Sequence, residues 1–152
     1  MRNAFAMSIT SQETTVRLED QVCFALYAAA RTAQQAYRPL LDELGLTYPQ
    51  YLVLLVLWEQ DGQTVSALGD RLHLDSGTLS PLLRRLDEHG LITRERQSTD
   101  ARRVSVHLTA AGDDLRSRAA EVQRCLEGAV PLPPEDLLSL RDLSRRFAGS
   151  DA

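Results

Sequence analysis

The sequence predicts a mainly α chain that carries a small β-hairpin wing, and three observations lead there. Long helical segments stand at both ends of the chain. In the middle, two shorter helical segments are separated by only a turn. After Gly90 the spacing becomes the two-residue alternation of a strand, with Val104, Val106 and Leu108 on one face and Arg103, Ser105 and His107 on the other.

Residues 1–15 hold one Arg and a short apolar patch at 4–7, with no signal-peptide pattern, and are expected to form a loose tail. A first helix is expected over 20–44, capped by Glu19 or Asp20 and stopped by Gly45. Its Ala-rich middle (Ala28, Ala29, Ala30, Ala33, Ala36) favours helix and lets a neighbour approach closely, and Pro39 near its end predicts a kink. A second helix starts at Thr47, whose hydroxyl forms a capping box with Gln50, and runs to about Gln60 before Gly62 breaks the chain.

A short helix over 65–72 and another over 76–89 follow, the latter capped by Asp75 and closed by Gly90. Gly69 costs about 1 kcal/mol against Ala inside a helix, which predicts a tightly packed neighbouring helix. Pro81 has no N–H for Gly77, so an irregular first turn is expected. Strands are expected over 91–96 and 103–108, joined by the polar turn 97–101. Thr109 caps a long helix to about Gly128, and Pro131, Pro133 and Pro134 make a linker. Pro134, Glu135 and Asp136 then open a last helix, with Pro and acid in its first turn.

The 152 residues are enough for one domain with its own core. Hydrophobic content of 43% and charged content of 25% are those of a soluble globular chain. No apolar run approaches the roughly 20 residues that span a bilayer, so no membrane and a cytoplasmic location are expected. In that reducing compartment Cys23 and Cys125 point to sensing or catalytic chemistry more than to a permanent disulfide.

A net charge of −4 argues against nucleic acid, but distribution matters more than the sum. Arg94, Arg96, Arg102 and Arg103 crowd the hairpin against only Glu95 and Asp100. The chain has no Lys, so every fixed positive side chain is a guanidinium, the group best suited to bidentate phosphate and base contacts.

Two helices joined by a short turn, followed by a hairpin with an Arg-bearing tip, make a winged helix-turn-helix. A helix fits the major groove, and a hairpin can send Arg into the minor groove. The stretch LHLDSGTLSPLLRRL over 72–86, then Gly90-Leu91-Ile92, Asp100-Ala101-Arg102 and Leu108-Thr109, resembles the MarR family of regulators. That resemblance implies double-stranded operator DNA as partner. It implies Ser76, Thr78, Ser80 and Arg84 on the recognition helix, Arg85 and Arg94 on phosphates, and Asp100 orienting a minor-groove Arg102. It also implies one domain over 16–152, with dimerisation helices over 18–45 and 110–148 around a winged-helix region over 47–109, as a homodimer with no cofactor and no metal.

Cys23 falls near the start of the first helix, where the partial positive charge of the N-terminus favours thiolate while Glu19 and Asp20 oppose it. Tyr27 and Tyr37 fall with Cys23 in a stripe about 80° wide, yet Tyr37 is about 21 Å along the axis from Cys23. Tyr37 therefore cannot touch the sulfur of its own helix; an antiparallel copy could bring it there. The segment LEDQVCFALY over 18–27 resembles the organic-hydroperoxide-resistance regulators within the MarR family. By that resemblance Cys23 is the reactive sulfur, Tyr37 and Tyr48 donate to it across the dimer, and Tyr27 lies nearby. An organic hydroperoxide is then the signal, and Cys125 either the resolving thiol of a disulfide between subunits or an unreactive helix residue, with a small-molecule thiol then capping the oxidised Cys23. Tyr51 does not match that set and is read as packing, while Phe24 and Trp58 are candidate pocket walls. Competing readings are a regulator released by an aromatic ligand, a thiol peroxidase, and a DNA-binding scaffold without a signal.

Overall fold

In the computed structural model, residues 16–97 and 100–149 are described, so the expectation for the tail 1–15 lies outside the described residues. The first helix is shorter than expected. Leu18–Asp20 form a 3-10 turn, and α1 (Val22–Glu43) starts after Gln21, which makes no side-chain cap bond. Neither Glu19 nor Asp20 caps α1. The helix continues through Pro39, which forfeits one bond without ending it.

Helix α2 (Tyr48–Glu59) opens on the expected capping box: Gln50 N–H donates to Thr47 Oγ1 at 3.4 Å, and Thr47 N–H donates to Gln50 Oε1 at 2.8 Å. It is apolar all round, and Tyr51, Val53, Leu54, Val56, Leu57 and Trp58 are all buried. Such a helix must be covered on every side. Leu41 of α1, Val122, Leu68, Leu79, Leu83, Leu86, Ile92 and Val106 join it in one buried cluster.

Helices α3 (Val65–Leu72) and α4 (Ser76–Glu88) follow, and the sheet has a strand the sequence did not suggest. The two-residue β1 (Gln63–Thr64) pairs antiparallel with β3 (Asp100–Leu108), which pairs with β2 (Ile92–Gln97), giving the order β1-β3-β2. β1 is too short to carry a period and exists only through its partner. Asp100 and Ala101 are strand residues, not turn: the register slips between Arg96 and Gln97, so Gln97 pairs with Asp100.

Three local expectations need correction. The first turn of α4 is regular in spite of Pro81, with Asp75 capping it and Ser80 Oγ donating to Ser76 O at 2.7 Å. At Gly69 the close neighbour is not a helix but the turn carbonyl Leu74 O, 2.8 Å from where a Cβ would stand. Thr109 caps only α5 (Ala110–Asp114); the chain breaks at Leu115 before α6 (Arg116–Ala129). Helix α7 (Pro134–Phe147) begins at the expected proline.

Gly112 is the tightest point of the packing. A Cβ there would stand 2.0 Å from Leu91 O, while its own carbonyl accepts the Trp58 indole N–H at 3.0 Å. Gly112→Ala is therefore expected to destabilise by about 3 kcal/mol, the upper end of overpacking costs, since backbone must move. Gly128→Ala, in α6 with nothing within 4 Å, is expected to be neutral or stabilising by up to about 1 kcal/mol. Urea unfolding of both variants checks the contrast; equal midpoints contradict the packing.

Candidate functional site

The turn between α3 and α4 closes with His73 in the left-handed region at φ 53° and Leu74 N–H donating to Gly69 O at 2.9 Å. Asp75 then starts α4. Its Oδ1 accepts Thr78 N–H at 2.9 Å and its Oδ2 accepts the Thr78 hydroxyl at 3.0 Å. These bonds hold the Asp75 carboxyl below the usual carboxylate range. Leu79, Leu83 and Leu86 bury one face of α4, so Ser76, Thr78, Ser80, Arg84 and Arg85 stand on the exposed one.

Not every expected DNA residue is equally free. Arg84 pairs with Glu88 only at 3.8 Å, one turn along an exposed face. Arg94, in contrast, puts both Nε and Nη2 at 2.9 Å from Asp87 Oδ2, tying β2 to α4. Beside it, Arg103 lines a groove of about 590 Å³ with Ser66 and Ser80, between α3, α4 and the sheet. Sequence reasoning did not single out Arg103, although it stood in the Arg-rich hairpin. The side chains of Asp100 and Arg102 lie outside what is described; their backbones stand at the outer end of β3.

The thiol residues fall into two groups. Cys23 is exposed in the first turn of α1, where backbone N–H groups lack helical acceptors. Tyr27, one turn on, is exposed too. Its Oη accepts Arg31 Nη1–H at 2.9 Å, and the guanidinium carbon lies 5.6 Å from the ring centroid. Far along α1, Tyr37 stacks on Tyr48 with centroids 5.4 Å apart, and Tyr51 tilts against both at 6.4 Å. Burial pushes the Tyr48 phenol up, and burial with the Tyr48 charge does the same for Tyr51, so both stay protonated donors at neutral pH.

Tyr51 is buried, but with Tyr37 and Tyr48 it also lines a cavity of about 480 Å³ between α1, α2, α6 and α7. Trp58 meets Tyr51 edge-on at 6.1 Å and lies behind it, in the core, not in the wall of that cavity. Cys125 is on α6. That helix runs antiparallel to α1: Arg118 donates to Glu43 at 3.0 Å, and Gln123 shares the cavity with Tyr37. No group of three or more metal-ligating side chains occurs among the described residues, and no single helix there is long and apolar enough to cross a membrane.

Residues 35–118 match the family of the transcriptional regulator SarA/Rot. The organic hydroperoxide resistance transcriptional regulator of Bacillus subtilis is 46% identical over 126 residues, covering 83% of this chain and 86% of that protein. The regulator TtmR of Methylorubrum extorquens is 44% identical over 151 residues, covering 95% and 77%. Reduced AbfR bound to DNA matches at TM-score 0.72 with 36% identity, over 88% of this chain and 93% of that one; its disulfide form matches at 0.63. These are transcription regulators, not enzymes, which removes the thiol peroxidase alternative.

Two substitutions separate recognition from scaffold. Arg84→Ala is expected to weaken DNA binding by about 1–3 kcal/mol with an unchanged melting temperature, whereas Arg94→Ala costs up to about 1 kcal/mol of stability. Anisotropy titration and thermal melts on both variants check it; a melt shifted by Arg84→Ala alone contradicts the assignment. Asp75 titrates lower folded than unfolded, so its contribution is fully present above the ordinary carboxylate range and is lost as pH falls through the folded value. The stability gap between wild type and Asp75→Ala should hold from pH 7 to 5 and shrink below pH 4. A gap unchanged at pH 2.5 would count against the cap.

Proposed function

The chain belongs to the MarR family of winged-helix transcription regulators, of the organic-hydroperoxide type, and from that premise we propose that it is a homodimeric repressor which releases operator DNA when an organic hydroperoxide oxidises Cys23. One observation carries the proposal: the Tyr37–Tyr48 pair is assembled, but 14 residues of continuous helix, about 21 Å, separate it from the Cys23 of its own chain. A second copy of α1, laid antiparallel, supplies the missing sulfur. The phenols then donate to the thiolate and stabilise the form that attacks a peroxide.

The distribution of exposed apolar groups supports the dimer. Every large hydrophobic side chain exposed among the described residues lies within 16–27 or 132–147, among them Val22, Phe24, Leu138, Leu143 and Phe147. A patch gathered from the two ends of a chain marks an interface, where scattered ones would not.

Oxidation proceeds in two balanced steps. The Cys23 thiolate takes the terminal peroxide oxygen; the S–O bond forms as O–O breaks, and an alcohol leaves. The Cys125 thiol then displaces water from the sulfenic acid to give a disulfide. The antiparallel register of α1 and α6 sets Cys125 level with about residue 35, roughly 18 Å from its own Cys23, against a limit of about 7 Å between disulfide Cα atoms. That separation supports a bridge between subunits. It shifts the two winged lobes so that both half-sites are no longer met together, and affinity collapses with the loss of bivalent docking.

Cumene hydroperoxide should abolish the mobility shift of operator DNA by wild type and leave that of Cys23→Ser intact, while non-reducing electrophoresis shows a species of dimer mass absent from Cys125→Ser. Release of DNA by oxidised Cys23→Ser would falsify thiol sensing and favour ligand release. A disulfide at monomer mass would exclude the intersubunit bridge.

A further inference from the structure

Trp58 is the single tryptophan of the chain, and its N–H joins two parts of the molecule that the backbone leaves apart. Tyr48, Tyr51, Leu55 and Trp58 fall in a stripe about 80° wide along α2. The stripe starts at the cavity that Tyr48, Tyr51 and Leu55 line, and Trp58 ends it about 15 Å further on. Tyr51 and Trp58 touch edge to face, with centroids 6.1 Å apart and ring planes at 66°.

At that far end the indole N–H donates to Gly112 O at 3.0 Å, a buried bond between residues 54 positions apart. Gly112 stands in the last turn of α5, where carbonyls have no partner within the helix. Its N–H donates to Thr109 Oγ1 at 3.1 Å, and Thr109 N–H donates to Leu91 O at 3.1 Å. Leu91 N–H in turn donates to Leu86 O at 3.0 Å, at the end of α4. The recognition helix, the foot of the wing and α5 are thus one hydrogen-bonded piece, and Trp58 fastens that piece to α2.

The fastening lies beside a joint. Only Leu115 separates α5 from α6, and α6 runs on to the tyrosine-lined cavity at Gln123. A cavity of about 390 Å³, lined by Trp58, Leu108, Asp113 and Arg116 among others, leaves room for α6 to tilt there. A buried donor or acceptor that loses its partner is costly, so the indole bond favours one setting of the joint over any other.

We propose that Trp58 is a positioning residue for DNA release: its bond to Gly112 holds the DNA-reading lobe in the setting that fits the operator, and oxidation breaks that bond. The inference rests on the thiol-sensing function above and adds no chemical step to it. Displacement of α6 on oxidation bends the chain at Leu115, Gly112 leaves the indole, and α4 and the wing move as one. A bond made in one state and absent from the other contributes directly to the coupling between oxidation and DNA binding.

The single tryptophan makes the bond visible in wild type. Indole emission should move to longer wavelength when cumene hydroperoxide oxidises the protein, return with dithiothreitol, and stay fixed in Cys23→Ser. Trp58→Phe keeps a ring against Tyr51 but loses the donor. Its reduced form should bind operator DNA about tenfold more weakly than wild type, the scale of one buried hydrogen bond. The oxidised forms should bind alike, and Cys23 thiol loss, followed by intact-protein mass, should keep the wild-type rate. Emission unchanged through an oxidation that releases DNA overturns the joint and leaves thiol sensing standing, as does a Trp58→Phe variant that keeps the wild-type ratio of reduced to oxidised affinity. Failure of Cys23 to oxidise at all overturns both.

Discussion

The structure depends on burying one helix on all sides. α2 has no polar face, and each of its buried Leu and Val side chains is worth about 1.5–3 kcal/mol out of water. Its burial requires cover from the long helices on one side and from the DNA-reading lobe on the other. The same rod therefore presents Tyr48 and Tyr51 to the tyrosine-lined cavity at one end and Trp58 to the root of the wing at the other. Trp58 meets Gly112 there, and the Thr109 hydroxyl donates to Gly90 O at 2.6 Å, next to the Leu91 carbonyl that Gly112 approaches. Only glycine at 112 lets the wing, α5 and α2 converge. Interiors packed this closely pass displacement on instead of absorbing it.

Electrostatics resolves the conflict between an acidic chain and a polyanionic partner. One acid of the DNA-reading lobe is already engaged, Asp87 by Arg94 at 2.9 Å. Asp75 has its oxygens turned to Thr78 as a helix cap. Asp87 and Asp75 are thus committed to local structure, while Arg84, Arg85 and Arg103 are exposed. Phosphate contacts depend on that local balance at the distance of a Debye length, about 8 Å at physiological salt, and not on the sum over the chain.

What was legible in the sequence is what is local. The Thr47–Gln50 box, the Asp75 and Thr109 caps, the proline start of α7 and the glycine end of α4 each depend on residues a few positions apart, and each stands where expected. What was illegible is non-local. β1 owes its existence to β3 some forty residues on, and the extent of the wing strands is set by a slipped register that no period reveals. Gly69 announced a close approach, but only the fold shows that the neighbour is the Leu74 carbonyl. In the candidate thiol site, resemblance pointed to Tyr37 and Tyr48, but only the fold shows them stacked on each other. Tyr51, read as packing only, has a second role in the wall of the cavity.

The division of the phenols from their sulfur has a physical consequence for any sensor built this way. A Cys in a reducing compartment with its phenol donors on the same chain would be equally reactive folded alone or assembled. Here Tyr37 and Tyr48 are stacked and burial raises the Tyr48 phenol, so in the proposed dimer the donors are in place before any sulfur arrives. In the dimer proposed above, reactivity would belong only to the assembly that can also span two half-sites, so sensing would be confined to the species whose bivalence it must break. Since linked docking multiplies affinity by about 10²–10⁴, removing simultaneous engagement is enough to clear DNA without altering one contact on α4. Recognition and sensing can therefore be at opposite ends of α2, joined by packing.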